Sequence, residues 1–376
     1  MFRNCYQIIA MSVEDHVIEA PAMSWRGVFG RLVFCTAVAF GLYAATSALL
    51  LTPYIHDGSD AGRVLGVYEA YPRIAASADR ARELVLFWGS SMIREGVDCD
   101  LLEASDPRLA AYNLSVSGDI PYRRLVELPL VKELRPDRVV IGVSYPELFE
   151  TRAPFEDQIA VLPPSAYARM PTEAQALLEP RFRKIAGRSS WERFWWKRKF
   201  LFSAVFWKLG VPDRSNPIPA GFVENLKTPH VYTKSVRRVE LEKFLATRGG
   251  QYAPYTSGGE MTASAGASAR SLALLVSELE NQGTQVVLVN MPLHPLLNDA
   301  IPPERRAALC AAIKLLASPR VRVLDCQDAI ATECFTDLVH LNAAGRAAFT
   351  GMMAGEMHPQ PASVAAATPA KSRHEL

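Results

Sequence analysis

The chain has 376 residues, 49% hydrophobic and 21% charged, an ordinary globular composition with room for one large domain or two small ones. A net charge of +2 predicts neither nucleic-acid binding nor an acidic partner for the whole molecule. The six cysteines form no C-x-x-C and no paired Cys/His spacing, so no zinc or other metal site is expected.

In chain order, residues 1–26 show no periodicity and read as a loose tail. Residues 32–55, LVFCTAVAFGLYAATSALLLTPYI, are apolar and uncharged, long enough to cross a hydrocarbon core as a helix. Arg26 and Arg31 flank the start of this run, and His56, Asp57 and Asp60 follow its end. The positive-inside rule then places the N-terminus in the cytoplasm and the rest of the chain outside. The rival reading is a signal peptide cleaved near Thr46 to Ala48. The long leader and the continuation of the run to Leu51 favour an anchor.

Residues 58–82 have a polar helical pattern and read as a stalk. Strands and helices then alternate. Residues 84–88, 109–114, 138–143, 285–290 and 320–324 read as five strands. Residues 122–134, interrupted by Pro129, have helical spacing. Residues 265–282 form a helix stopped by Gly283, and 302–317 a helix opened by proline. Asn342 is placed to cap a last helix over 343–357. Such alternation predicts an α/β fold whose parallel sheet is covered on both faces. Residues 150–264, rich in proline, aromatic and basic residues, break the alternation and read as an insertion between the third and fourth strands. The Pro- and Ala-rich end after His358 reads as disordered.

Four cysteines, Cys99, Cys310, Cys326 and Cys334, fall in the folded part. Outside the cell they permit disulfides without requiring them, and buried thiols are the equal alternative.

The organising stretch is residues 84–98, LVLFWGSSMIREGVD. An apolar strand ends at Gly89, and two serines follow at the turn, where open α/β sheets place their ligands. A serine nucleophile needs a base, a group that orients the base, and donors for the oxyanion. His16, His358 and His374 lie in tails, His56 adjoins the membrane run, and His230 is in the insertion. His294 and His340 follow core strands. Asp337 precedes His340 by three residues, which on a helical turn puts both on one face. The carboxylate can then hold one imidazole nitrogen while the other meets the serine. Each motif alone has a bland alternative: serines that only cap a helix, and Asp337 and His340 as surface residues of a loop entering a helix.

Together these blocks resemble the SGNH (GDSL-like) hydrolase superfamily, over roughly 84–143 and 285–349. Gly89-Ser90-Ser91 stands where that family has Gly-Asp-Ser, so Ser91 matches the nucleophile. Gly118, in NLSVSGD, matches the glycine whose N–H helps form the oxyanion hole, and Asp337 and His340 match the closing pair. Two positions depart. Ser90 replaces an aspartate, and Ser144 stands where the family has an oxyanion-binding asparagine. A serine hydroxyl is shorter, and losing one such donor costs roughly 3–4 kcal/mol of transition-state stabilisation.

The resemblance implies a flavodoxin-like three-layer sandwich with no cofactor. Its boundaries would be a cytoplasmic tail 1–31, a transmembrane anchor 32–55, a stalk 56–83, a catalytic domain 84–357 carrying the insertion 150–264, and a tail 358–376. The GSS spelling and the anchor are similar to membrane-bound members that acylate envelope polymers, of the teichoic-acid D-alanyl-transfer and alginate O-acetylation kind. That branch implies acyl transfer to an extracytoplasmic glycan, fed by a membrane-bound O-acyltransferase. The alternatives are an esterase or deacetylase with water as acceptor, and a non-catalytic partner of the acyltransferase.

Three further positions are open. His294 reads as a substrate-binding group or as a loop histidine held by its prolines. Asp119 and Glu147 read as acceptor-binding carboxylates or as solvated ones. Within the insertion, 191–209 at helical spacing gathers Trp191, Phe194, Trp195, Phe202, Val205, Phe206 and Leu209 on one face. Trp196, Phe200 and Trp207 lie opposite, so the segment is either a buried helix or one lying at the membrane surface.

Overall fold

The computed structural model describes residues 25–57, 60–79, 81–149 and 263–357, with parts of 160–246. Residues 1–24, the expected tail 358–376, most of the insertion and His16, His230, His358 and His374 lie outside the described residues; residues 25–31 of the expected N-terminal tail instead form the start of a helix. The chain divides into two units, Met1–Leu49 and Leu50–Leu376.

In the first unit the helix Trp25–Thr46 buries none of its side chains, and Phe29, Leu32, Phe34 and Leu42 are all exposed. A helix that is apolar all round is either a buried core helix or a membrane span. The helical run Trp25–Tyr54 has a mean hydropathy of 1.8 and is long and apolar enough to cross a membrane.

The second unit is α/β and is built on one five-stranded sheet. Its strands are β1 (Glu83–Trp88), β2 (Leu109–Asn113), β3 (Arg138–Val143), β4 (Gln285–Asn290) and β5 (Val321–Asp325). All four pairings are parallel, in the order β2-β1-β3-β4-β5. The near-continuous apolar runs of β1, β3 and β4 follow from burial on both faces. Alternate β1 residues feed two cores: Leu84, Leu86 and Trp88 enter one, Val85 and Phe87 the other. From β1 the chain steps outward to β2 and returns past β1 to β3. The strand order therefore reverses between β1 and β3, where such sheets open a crevice at their carboxyl ends.

Two expectations are revised. The stretch read as a stalk is the helix Asp60–Ser77, which packs into the core through Val64, Val67, Ala70, Tyr71 and Ile74. Its Arg63, fully buried, donates to the carbonyls of Asn113 (2.7 Å) and Ser115 (3.2 Å). Part of the stretch read as an insertion also belongs to the core, because Ala160, Leu162, Ala166, Met170 and Ala174 join the same cluster. The helix 122–134 is divided, with Pro121–Arg124 and Leu128–Leu134 on either side of a turn; Pro129 sits in the first turn of the second helix, where a missing N–H costs nothing.

Of the segment 191–209, the described portions include a 3-10 turn Lys197–Phe200 and an α-helix Leu201–Lys208. Lys197 donates to Thr52 Oγ1 at 3.2 Å, and the Phe200 ring lies 6.1 Å from Tyr54. Leu201, Val205, Phe206 and Leu209 are exposed, whereas Ala204 is buried.

Candidate active site

β1 ends at Trp88, and the chain turns at Gly89 into the short helix Ser91–Gly96. Two glycines allow this turn. A Cβ on Gly89 would lie 2.8 Å from Ile93 Cγ1, and one on Gly142 of β3 would lie 2.2 Å from the same atom. Ile93 thus seats the Ser91 helix against both central strands, in space that only glycine leaves. Ser90 is the N-cap and accepts from the Met92 N–H. At the other end Asn113 Nδ2 donates to the carbonyls of Ile93, Arg94 and Val97, and Arg346 Nη2 donates to Val97.

Arg346 belongs to the last helix, Ala343–Met357, which begins where the capping position of Asn342 predicts. The Asn342 side chain accepts from the Gly345 N–H and donates to the Glu333 carbonyl. This helix therefore clamps the Ser91 helix and also anchors the loop that carries His340. That loop is not the helical turn expected from the spacing. An isolated antiparallel bridge, Phe335 with Leu341, closes it, and Thr336 N–H donates to the His340 carbonyl. Asp337 Oδ1 accepts the N–H groups of Val339 and His340, both at 2.8 Å, and so folds the loop around its own carboxylate.

The fold brings the three residues together. Ser91 Oγ lies 2.8 Å from His340 Nε2, and His340 Nδ1 lies 2.7 Å from Asp337 Oδ2. When the imidazole is neutral and its Nδ1–H donates to Asp337, Nε2 can accept the Ser91 hydroxyl, the geometry that activates a serine. Glu95 Oε2 lies 3.8 Å from the same Nε2. Burial alone would lower the His340 pKa, but the charges of Glu95 and Asp337 outweigh it and hold the imidazole up at about 9. Burial would raise Asp337, but His340 and the two loop N–H groups outweigh that and hold it below its usual value. The His340 side chain keeps 17% exposure, so the site is open to a ligand.

Gly118 follows β2 in a loop bonded to the Gly89–Ser91 turn, with Val116 N–H donating to the Gly89 carbonyl at 3.1 Å. Its φ of +61° lies in the left-handed region that glycine enters without strain. Ser144, at the end of β3, is buried, and its backbone N–H donates to Glu147 Oε2 at 2.6 Å. That N–H is therefore committed within the protein. Burial pushes Glu147 up to about 7, against the hydrogen bonds from Ser90 and Ser144. Glu147 thus replaces the expected solvated carboxylate with a buried group joining the ends of β1 and β3.

The other expected binding residues are also interior. Asp119 is buried and pairs with Arg123 (2.6 Å) and Arg124, which in turn pair with Glu127 (2.5 and 2.6 Å). Tyr71 donates to Glu127, and Trp88 Nε1 donates to Tyr71. This network lies beneath the Gly118 loop and leaves Asp119 no role at the surface. His294, 1% exposed, caps the helix Pro295–Ala300 by accepting the Leu296 N–H on Nδ1. Its own N–H donates to the Leu338 carbonyl, tying the loop after β4 to the His340 loop. These are the contacts of a loop anchor. Among the described residues no group of three or more His, Cys, Asp or Glu is arranged to hold a metal, and Cys99, Cys310, Cys326 and Cys334 are free thiols.

Sequence reasoning did not find Glu95. Its position four residues after Ser91 is the available signal, because on a helix that spacing puts both side chains on one face.

Compared with known proteins, the chain matches no family model and no curated sequence.

Proposed function

We propose that the chain is a membrane-anchored serine acyltransferase of the SGNH kind, working through an acyl-serine intermediate. The observation that carries this reading is the unbroken hydrogen-bond chain Ser91–His340–Asp337 at the carboxyl ends of the strands. The strand order 2-1-3-4-5 is that of flavodoxin-like sandwiches, which supports the same family.

In the first step His340 Nε2 takes the Ser91 proton while Oγ bonds to the acyl carbon. The bond to the leaving oxygen breaks, and that oxygen departs with the proton from Nε2. In the second step an acceptor hydroxyl gives its proton to Nε2 and attacks the acyl carbon, and the bond to Ser91 Oγ breaks as Oγ takes that proton back from Nε2. Asp337 holds the imidazole in the tautomer that both steps need. The N–H groups of Ser91 and Gly118 are the oxyanion donors in this reading. Ser144 is not, since both its N–H and its hydroxyl serve Glu147. A hole with two donors rather than three favours a slow enzyme with a dedicated donor over a fast esterase.

The acceptor in this reading is a glycan hydroxyl on the outer side of the cytoplasmic membrane. Arg26 and Arg31 at the start of the apolar helix support that orientation. The acyl donor would come from a membrane-bound O-acyltransferase. The test is to supply the purified chain with an activated acyl ester, with and without glycan oligomers, and follow the acyl group by mass spectrometry. Acylated glycan that vanishes with Ser91→Ala supports transfer. Release of the free acid at the same rate with and without glycan makes the protein a hydrolase.

A further inference from the structure

Glu95 is fully buried, and its Oε2 has no hydrogen-bond partner among the described residues. A buried carboxylate oxygen left so is costly unless a positive charge faces it. The atom in reach is His340 Nε2, 3.8 Å away, the same nitrogen that Ser91 Oγ meets at 2.8 Å. The other oxygen, Oε1, accepts from Arg94 at 2.6 Å, which fixes the carboxylate in place. Both residues lie on the helix that Ile93 and Asn113 clamp to the sheet, so this geometry is rigid.

We propose that Glu95 is a positioning residue for His340: it holds negative charge against Nε2 and decides when that nitrogen is free to take the Ser91 proton. The inference rests on the acyl-serine reading above. His340 then stands between two carboxylates, Asp337 at Nδ1 and Glu95 at Nε2, with Arg94 opposing them. A charge at this distance in a buried setting is weakly screened. At neutral pH Nε2 keeps a proton, consistent with a value of about 9, and Ser91 rests unactivated. Raising the pH, or a ligand that neutralises or displaces Glu95, frees the base. As Oγ bonds to the acyl carbon, the same charge steadies the imidazolium that next gives its proton to the leaving oxygen.

The test uses the full-length chain in detergent. His340 is titrated by nitrogen NMR in a Ser91→Ala background, its signal assigned by its loss in His340→Ala. Its midpoint is expected near 9. Adding Glu95→Gln should lower it by about one pH unit or more. An unchanged midpoint overturns the proposal. In parallel, the pH profile of Ser91 labelling by a fluorophosphonate should shift to lower pH in Glu95→Gln and, to a smaller degree, in Glu95→Asp. A merely structural role would lower labelling at every pH without moving the profile, and that result also overturns the proposal. Should wild-type Ser91 label at no pH, the acyl-serine reading fails, while the titration still decides whether Glu95 governs His340.

Discussion

His340 Nε2 lies 2.8 Å from Ser91 Oγ although 249 positions separate the two residues in the chain. The contact exists because the first and the last parts of the domain meet at one helix: Ala343–Met357 grips the end of Ser91–Gly96 through Arg346 and Thr350. Anything that loosens that grip should separate Ser91 from His340 before it unfolds the domain.

Gly142→Ala tests the seat of the nucleophile helix. The new methyl would overlap Ile93 Cγ1 and crowd Met291 Sδ at 2.9 Å. Overpacking of this kind costs about 1–3 kcal/mol. A lower urea midpoint is expected, with a larger fractional loss of Ser91 labelling. In an Ile93→Ala background, which removes both Cγ1 and Cδ1, Gly142→Ala should cost clearly less than it does in the wild type. An equal cost in the two backgrounds would show that Ile93 is not what the glycine accommodates.

His340 should make stability depend on pH in the alkaline range. Its folded value of about 9 lies above the ordinary value near 6.5, so the protonated form is favoured by folding. The stabilisation is complete below about 6.5 and is lost as pH rises through 9. His340→Ala should therefore melt lower than wild type at pH 6, by about 1.5–3 kcal/mol for a charged hydrogen bond, with the gap narrowing by pH 10. A gap independent of pH would contradict the raised value.

Glu147 works in the opposite direction of usefulness. Burial raises it to about 7, so folding favours its neutral form, and its charge opposes folding as pH rises from about 4.5 through 7. Gln keeps a carbonyl for the Ser144 N–H and carries no charge. Glu147→Gln is expected to be nearly neutral at pH 4.5 and stabilising by about 2–3 kcal/mol at pH 8. Thermal melts at the two pH values decide it, and destabilisation at pH 8 would contradict the account.

Much of this was legible in the sequence because it is local. The spans of β3 and β4 follow from unbroken apolar runs between turn residues, and the Ala343–Met357 helix from its asparagine cap. Ser91, Asp337 and His340 stood out through short motifs in a fixed order. What was not legible depends on contacts between distant residues. The helix Asp60–Ser77 looks polar enough for a stalk until Arg63 and Tyr71 find partners some fifty positions away. Asp119 and Glu147 look solvated until Arg123 and Arg124 or the Ser144 N–H surround them. A glycine in a strand names no neighbour, so the meeting of Gly142 with Ile93 has no sequence signal of its own.

The segment 197–209 should meet lipid. Lys197 and Phe200 contact Thr52 and Tyr54 at the end of the apolar run, and Val205, Phe206 and Leu209 are exposed nearby in the chain. Exposed apolar residues beside lysines suit the headgroup boundary. A fluorophore on Phe206→Cys, in the full chain reconstituted in anionic vesicles, should be quenched by lipid-borne quenchers. Quenching by aqueous iodide alone would place this helix in water. The substitution should change stability by no more than about 0.5 kcal/mol, as an exposed site allows.

The central claim is that Ser91 is a nucleophile armed by His340 and Asp337, and covalent labelling tests it most directly. Full-length protein is incubated with a fluorophosphonate at pH 9, digested, and the modified residue is mapped by mass spectrometry. The account predicts a single adduct on Ser91, retained in Ser90→Ala and absent in Ser91→Ala. Labelling should fall by roughly 10²–10⁴ in His340→Ala and Asp337→Asn, which remove the base or its orienting partner. An adduct on Ser90, or Ser91 labelling at the wild-type rate in His340→Ala, would contradict it.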